Sequence, residues 1–307
     1  MNCTSLSWSS TATFNLTPII VICSIAIFIH TVFWIQVILF SSLRQRNMMW
    51  LYAYLITDFF ILARFFIFYV MHHWDACLYP TFRLILCYVE ATSRFYVNIV
   101  QSYLLLALNT CRGAQIIYNR NVFIKNPRLI ILSHFLIYLL PAIIITIQIL
   151  CNWTILLHKA GESCDIIYNS LIVEIFNLFI IYIIPISLNL IIIALCIHHV
   201  STIRDIHSEQ IINFRRKHKK TFLIQTIIFY SIWLLLWSPN VLVFQFINVN
   251  SKLGIYTSLI NYIEIVTNPF FIAVLDVRIF QSWKIIWRKI KERRQRAIAP
   301  VLQAAPE

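Results

Sequence analysis

Ionisable and amide side chains recur where the sequence is otherwise apolar. Between Cys87 and Arg112 stand Glu90, Arg94, Asn98, Gln101, Ser102 and Asn109; Asp58 and Arg64 interrupt one run of large hydrophobics, and Glu264 and Asn268 another. In the first set the steps from Glu90 to Arg94 to Asn98 to Gln101 are three or four residues, which puts several on one face of a helix. The chemistry open to such groups is non-covalent. A carboxylate surrounded by hydrocarbon has to find a proton, a cation or a hydrogen-bond donor, and a guanidinium has to find a carboxylate, a carbonyl or a ligand's acceptor. Two acids at one depth, Asp58 and Glu264, can share a proton or a cation. Signs of bond-making chemistry are missing, for there is no HEXXH, GXSXG or Walker pattern and no His/Cys cluster at metal-ligand spacing. The neighbouring His72 and His73 do not make a metal site by themselves. An enzyme is not the expectation.

The elements that hold these residues follow from composition. Of 307 residues, 60% are hydrophobic and only 12% charged, with mean hydropathy +0.77 and three glycines. That excludes a disordered chain and points to a polytopic α-helical membrane protein in contact with a lipid bilayer. A formal charge of +13 could indicate nucleic acid, but its distribution gives another reason. All Lys and Arg except Arg64 and Arg94 inside the apolar spans, and Arg83, Lys159 and Lys252 on the outer side, fall at or beyond the ends that become cytoplasmic. No nucleic-acid partner is expected.

Seven apolar spans can be drawn, approximately at 17–40, 48–71, 87–118, 129–151, 171–198, 221–247 and 255–275. They place residues 1–16 outside as an amino-terminal segment, 17–275 as the transmembrane domain, 276–296 as an amphipathic juxtamembrane helix and 297–307 as a cytoplasmic tail. At about 1.5 Å per residue, Cys87 to Arg112 covers somewhat under 40 Å, so thiol and guanidinium lie at opposite faces of a bilayer core of about 30 Å. Pro141, Pro185, Pro239 and Pro269 fall within spans, as kinks rather than breaks. The last piece carries Ile279, Trp283, Ile286, Trp287 and Ile290 at helical spacing with cations between them, the pattern of a helix lying on the inner leaflet. Lacking a basic leader, the first span acts as an uncleaved signal-anchor.

Three sequons, at Asn2, Asn15 and Asn152, fall on the outer side. So do Cys3, Cys77, Cys87 and Cys164, with Cys87–Cys164 the favoured bridge and Cys3–Cys77 the second. Cys23, Cys111, Cys151 and Cys196 fall in or at the ends of apolar spans, where packing is their expected role.

The order and depth of these residues resemble the rhodopsin-like (class A) G-protein-coupled receptors over nearly the whole chain. The resemblance rests on Asp58, the Cys87 to Arg112 separation, Cys164, Pro185, Trp237-Ser238-Pro239, and Asn268-Pro269 followed by an amphipathic helix. It departs from the family's pattern at several positions. Cys111 stands for the acid before the span-three arginine and Gly113 for the tyrosine after it. Ile272 and Ile193 replace two tyrosines, His30 the span-one asparagine, and the span-four tryptophan is missing.

The resemblance implies a seven-transmembrane helix bundle in the plasma membrane, amino terminus outside and carboxyl terminus inside, passing an extracellular ligand's signal to a heterotrimeric G protein. The ligand itself is not legible. It implies ligand contact at Arg94, Phe95, Asn98, Glu174, Trp237 and Tyr262, with Arg64 approaching Arg94, and a G-protein switch of Arg112, Asn268 and Pro269. It also implies a sodium site of Asp58, Gln101, Ser102, Glu264 and Asn268, and no other cofactor. On chemistry alone, Asp58 is equally a packing group bonded to Asn268 or water, and Arg94 and Arg64 are equally partners of Glu90 or Glu264. Lys219 stands near the place of the usual acidic latch on span six, so a salt-bridge lock on Arg112 is not expected and constitutive activity is. Span seven has no lysine for a Schiff base, which disfavours an opsin. The alternative is a polytopic transporter or channel using the same buried charges, although no internal repeat of the hydrophobic pattern supports it.

Overall fold

The computed structural model describes residues 8–44, 48–73, 79–118, 127–157, 162–202, 209–246 and 251–275, with seven further positions between 279 and 288. The apolar runs fold as long helices: α1 (Ser10–Leu39), α2 (Met49–His73), α3 (Pro80–Tyr118) and α4 (Pro127–Leu150). A two-stranded antiparallel hairpin follows, β1 (Thr154–Leu157) with β2 (Asp165–Tyr168), pairing Thr154 with Tyr168 and Leu157 with Asp165. Then come α5 (Leu171–Leu178), a π-helical turn (Phe179–Ile183) and α6 (Ile184–Thr202) in one continuous rod. The last two are α7 (Glu209–Phe246) and α8 (Lys252–Leu275).

Local chemistry explains the boundaries. Pro80 and Pro127 open α3 and α4, where a missing N–H costs nothing. The π turn ends two residues before Pro185 and includes Ile181, on whose carbonyl the proline ring would otherwise press, and the widened turn relieves it. Helix α3 begins two turns before Cys87, earlier than the sequence suggested, because the stretch from Pro80 contains no further breaker. Helix α7 likewise starts at Glu209, so the basic run at 215–220 is helical.

Among the described residues, five helices are long and apolar enough to cross a membrane, within Leu16–Leu39, Met49–His73, Pro127–Leu150, Leu171–Thr202 and Leu223–Leu242. The fold class is thus all-α, compatible with a multi-pass membrane protein. Large hydrophobics such as Leu129, Ile131, Phe135, Leu190, Ile191 and Leu235 face outward, a surface that suits lipid and not water. The polar helix α3 takes the central place, packing on α2, α4, α6, α7 and the hairpin. Its polar side chains are thereby screened from lipid, as an intramembrane position of that composition requires. The main core gathers around Trp50, Tyr54, Trp233 and Trp237, all essentially inaccessible.

The carboxyl-terminal segment differs from expectation. Ile279 is wholly buried within the main core rather than lying among lipid headgroups. Gln36 of α1 donates to the Ile279 carbonyl at 3.1 Å and also to the Ser282 hydroxyl. Trp287 is exposed, as an interfacial anchor would be, while Trp283, Ile286 and Ile290 lie outside the described residues. Of the four cysteines expected to pack, Cys23, Cys111 and Cys196 are buried, but Cys151 is exposed in the turn after α4.

Candidate ligand cavity and buried polar cluster

Toward the amino-terminal end of α3, Cys87 is bonded to Cys164 just before β2, with Cα atoms 5.3 Å apart. One turn down the helix, Glu90 adds two contacts. Its Oε2 accepts the Cys164 backbone N–H at 3.3 Å and His72 Nε2 at 3.1 Å. Trp8 stacks on the His72 ring at 4.5 Å between centroids. Hairpin, α2, α3 and Trp8, two residues before α1, are thus tied together at one point. Of the other oxidation candidates, Cys3 and Cys77 lie outside the described residues, as does the sequon at Asn2. Asn15 falls inside α1, next to the apolar span. Asn152 occupies an exposed turn with φ of 54°, a left-handed conformation that asparagine tolerates.

Beneath the hairpin lies a cavity of about 300 Å³. Arg94, Phe95, Asn98 and Tyr262 of the expected ligand set line it, together with Arg64, Tyr168 and Ser258. Glu174 and Trp237 are not in its lining: Glu174 sits half-buried in the first turn of α5, and Trp237 is buried deeper in the bundle. Arg94 donates to Ser258 Oγ at 2.8 Å and to Asn240 Oδ1 at 3.2 Å. Arg64 donates to Ser93 Oγ and to the Glu90 carbonyl oxygen, and its guanidinium lies 5.5 Å from the Phe68 ring centroid. These hydrogen bonds go to neutral acceptors, while Glu90 is turned to His72 and Glu264 to Tyr54. On the hairpin, burial and then the nearby Asp165 carboxylate push the Tyr168 phenol up, so it stays a neutral donor.

Trp237 stacks on Trp233 at 4.4 Å and on Tyr182 at 6.2 Å, and Tyr230 continues the stack against Trp233 at 5.6 Å. This aromatic column joins α7 to the rod of α5 and α6 through the proline-containing stretch of each.

A second polar group is buried between α2, α3 and α8. Asp58 Oδ1 accepts Gln101 Nε2 at 2.7 Å and Oδ2 accepts Asn268 Nδ2 at 2.9 Å. Asn268 Nδ2 also lies 2.6 Å from Glu264 Oε1, and Tyr54 donates to that same oxygen at 2.6 Å. Every member is nearly inaccessible. The resemblance implied the meeting of Asp58, Gln101, Glu264 and Asn268 but not Tyr54, whose only sign is its place one turn before Asp58. Ser102 does not join, for its hydroxyl donates to the Ile99 carbonyl of its own helix. Two buried oxygens, Glu264 Oε2 and Gln101 Oε1, have no hydrogen-bond partner. With the Asp58 carboxylate they are oxygen atoms, the donor type that a small hard cation takes. Among the described residues no group of three His, Cys, Asp or Glu could hold a metal ion.

Toward the carboxyl-terminal end of α3, Arg112 Nη1 donates to Thr226 Oγ1 of α7 at 3.3 Å. The Lys219 side chain lies outside the described residues. Asn109 donates to Asn189 Oδ1 at 2.7 Å, and Asn189 donates to the Pro185 carbonyl at 2.8 Å. Gly113 accounts for the close approach of α3 and α6, since a Cβ there would lie 2.9 Å from Ile192 Cγ2. His30 donates through Nε2 to the Ile265 carbonyl at 3.0 Å, tying α1 to α8. His134 of α4 stacks on Trp50 of α2 at 3.8 Å. Compared with known proteins, the chain matches no family model and no curated sequence.

Proposed function

We propose that this chain is a rhodopsin-like, seven-transmembrane receptor of the plasma membrane, with its amino terminus outside and its carboxyl terminus in the cytoplasm. It couples an extracellular ligand to a heterotrimeric G protein. The observation that carries this reading is one continuous set of contacts along α3: a cavity under a disulfide-tied hairpin at one end and the Arg112–Thr226 contact with α7 at the other.

A ligand in the cavity touches Arg94, whose other partner, Asn240, is the residue after Pro239. A shift there is passed to the Trp237 column and to the part of α7 beyond the kink. Outward movement of the α7 inner end breaks Arg112–Thr226 and exposes the guanidinium to the G protein, a population shift between two packings of the bundle. Asp58 and its neighbours are the hinge polar group between α2, α3 and α8, and the Asp58 and Glu264 carboxylates with Gln101 are the residues that would hold a sodium ion. Asn268 joins that group and Pro269 supplies the local bend in α8.

The test is nucleotide exchange on purified G proteins by the protein in nanodiscs. The expected result is exchange above that of empty discs, abolished in Arg112→Ala while Cys87–Cys164 stays intact. Ion flux in reconstituted vesicles with no exchange on any G protein overturns the reading in favour of a transporter or channel.

A further inference from the structure

Most charges in the cavity wall are already answered from within the protein. Arg94 donates to Ser258 and Asn240, interacts electrostatically with Asp165, and has further interactions besides. Asp165 accepts the Ile166 N–H at 2.9 Å through Oδ1 and, like Arg94, has other contacts of its own. Arg64 is held by Ser93, by the Glu90 carbonyl and near the Phe68 ring. The Glu90 carboxylate is held by His72 and the Cys164 N–H. Glu162, half-buried between the two strands, is the remaining charge of the lining. A charged ligand would have to shed its own hydration and also draw one of the held groups from its present partners, a double cost in a site of low dielectric. An uncharged ligand leaves them all in place.

The polar groups that the wall leaves unmet are neutral. The Asn98 side chain, one turn beyond Arg94 on α3, is 4% exposed, lines the cavity and makes no hydrogen bond among the described residues. Trp8, also in the lining, has a buried indole N–H without a hydrogen-bond partner. So has Nδ2 of Asn240, the amide whose Oδ1 accepts Arg94. Groups in that condition favour a ligand oxygen over hydrocarbon, because an unmet buried donor forfeits its hydrogen bond. Around them the lining is aromatic and apolar, with Phe65, Phe68, Phe95 and Tyr262. The volume, about 300 Å³, is at the lower end of the roughly 300–1,000 Å³ range of small-molecule sites. It suits one aromatic ring with a short polar arm and is too small for a long peptide.

We infer that the cavity binds a small, uncharged aromatic molecule that carries a carbonyl or hydroxyl oxygen. Asn98 and Trp8 supply its hydrogen bonds, its ring lies among the phenylalanines, and both arginines stay on their own partners. The consequence of binding for signalling rests on the receptor reading, whereas the preference for an uncharged ligand is a property of the cavity's own residues.

The experiment titrates the full-length protein in nanodiscs with four probes that share a phenyl ring and a short arm. Phenylacetamide is uncharged and carries a carbonyl, phenylacetate is an anion, phenethylamine a cation, and ethylbenzene has no polar group. Binding is read by calorimetry against empty nanodiscs, with no G protein present. Phenylacetamide should bind about tenfold more tightly than each of the other three, the factor for one or two well-made hydrogen bonds. Asn98→Leu should erase its advantage over ethylbenzene without weakening ethylbenzene, and Trp8→Phe should reduce that advantage. Equal or tighter binding of phenylacetate overturns the inference in favour of an anion on the arginines, and of phenethylamine in favour of a cation on Glu162. Ethylbenzene binding as tightly as phenylacetamide removes the role of Asn98 and Trp8, and no binding of any probe at millimolar concentration overturns the site. The ranking of probes on the unmodified protein does not depend on whether a variant folds. Preferred binding of phenylacetamide with no nucleotide exchange refutes the receptor reading and keeps this one; exchange that Arg112→Ala abolishes, together with preferred binding of a charged probe, does the reverse.

Discussion

In the proposed receptor, the hydrogen bond between Arg112 and Thr226 helps to hold the amino-terminal half of α7 against α3. Replacing Thr226 by valine keeps the branched shape and removes the hydroxyl that accepts from the guanidinium. Hydrogen bonds to charged groups contribute about 1.5–3 kcal/mol when well formed. Here the separation is 3.3 Å, at the long end, and Arg112 is half-buried, so about 1 kcal/mol is the appropriate figure. If that energy belongs to the resting packing alone, its loss multiplies the ratio of active to resting protein by about fivefold. Basal nucleotide exchange, measured on nanodisc-embedded protein without ligand, should therefore rise by about that factor in Thr226→Val. Thr226→Ser, which keeps the hydroxyl, should stay near the unmodified level. Thr226→Glu places a carboxylate opposite Arg112 and should lower basal exchange below it, since a charged pair outweighs a neutral one. Unchanged exchange in the valine variant, or a rise in the glutamate variant, refutes the idea that this contact restrains the switch.

Two further outcomes test the packing. Gly113→Ala puts a methyl 2.9 Å from Ile192 Cγ2, an overpacking that costs about 1–3 kcal/mol before the better helix propensity of alanine offsets part of it. Its melting temperature should fall by a few degrees, and adding Ile192→Ala should cost less than the sum of the two single changes; strict additivity contradicts the close approach. Gln36→Leu removes the donor to Ile279 and Ser282 and should speed hydrogen–deuterium exchange over residues 279–282 by about tenfold. Unaltered exchange would mean that the segment is held by the burial of Ile279 alone.

The polar residues at 58, 101, 264 and 268 could be singled out before any coordinates, because a charge or amide in an apolar run must be partnered and the available partners are few. The helical rods were legible in the length of the apolar runs, and Cys87–Cys164 was the favoured of two pairings among the cysteines placed on the outer side. Partners drawn from several helices at once were not. Arg94 finds Ser258 and Asn240, more than 140 residues away in sequence, while Glu90 turns to His72. Periodicity gives each helix a polar face but not the rotation that decides which faces meet. Thr226 was missed because a lone hydroxyl costs little in a helix and leaves no imprint on composition.

What the sequence determined by itself is therefore the one-dimensional part: which stretches are helices of membrane length, where prolines interrupt them, and which residues cannot be left to lipid. Only the tertiary structure decided how those residues pair. It separated a cavity with charges of both signs from a deeper carboxylate–amide cluster, drew Ile279 into the core, and put a neutral hydroxyl opposite Arg112. The physical reason is that a buried polar group demands a partner without specifying which one. That choice is made by the close packing of side chains between rods, at positions such as Gly113 and Ile192 where a single methyl group decides how near two helices can come.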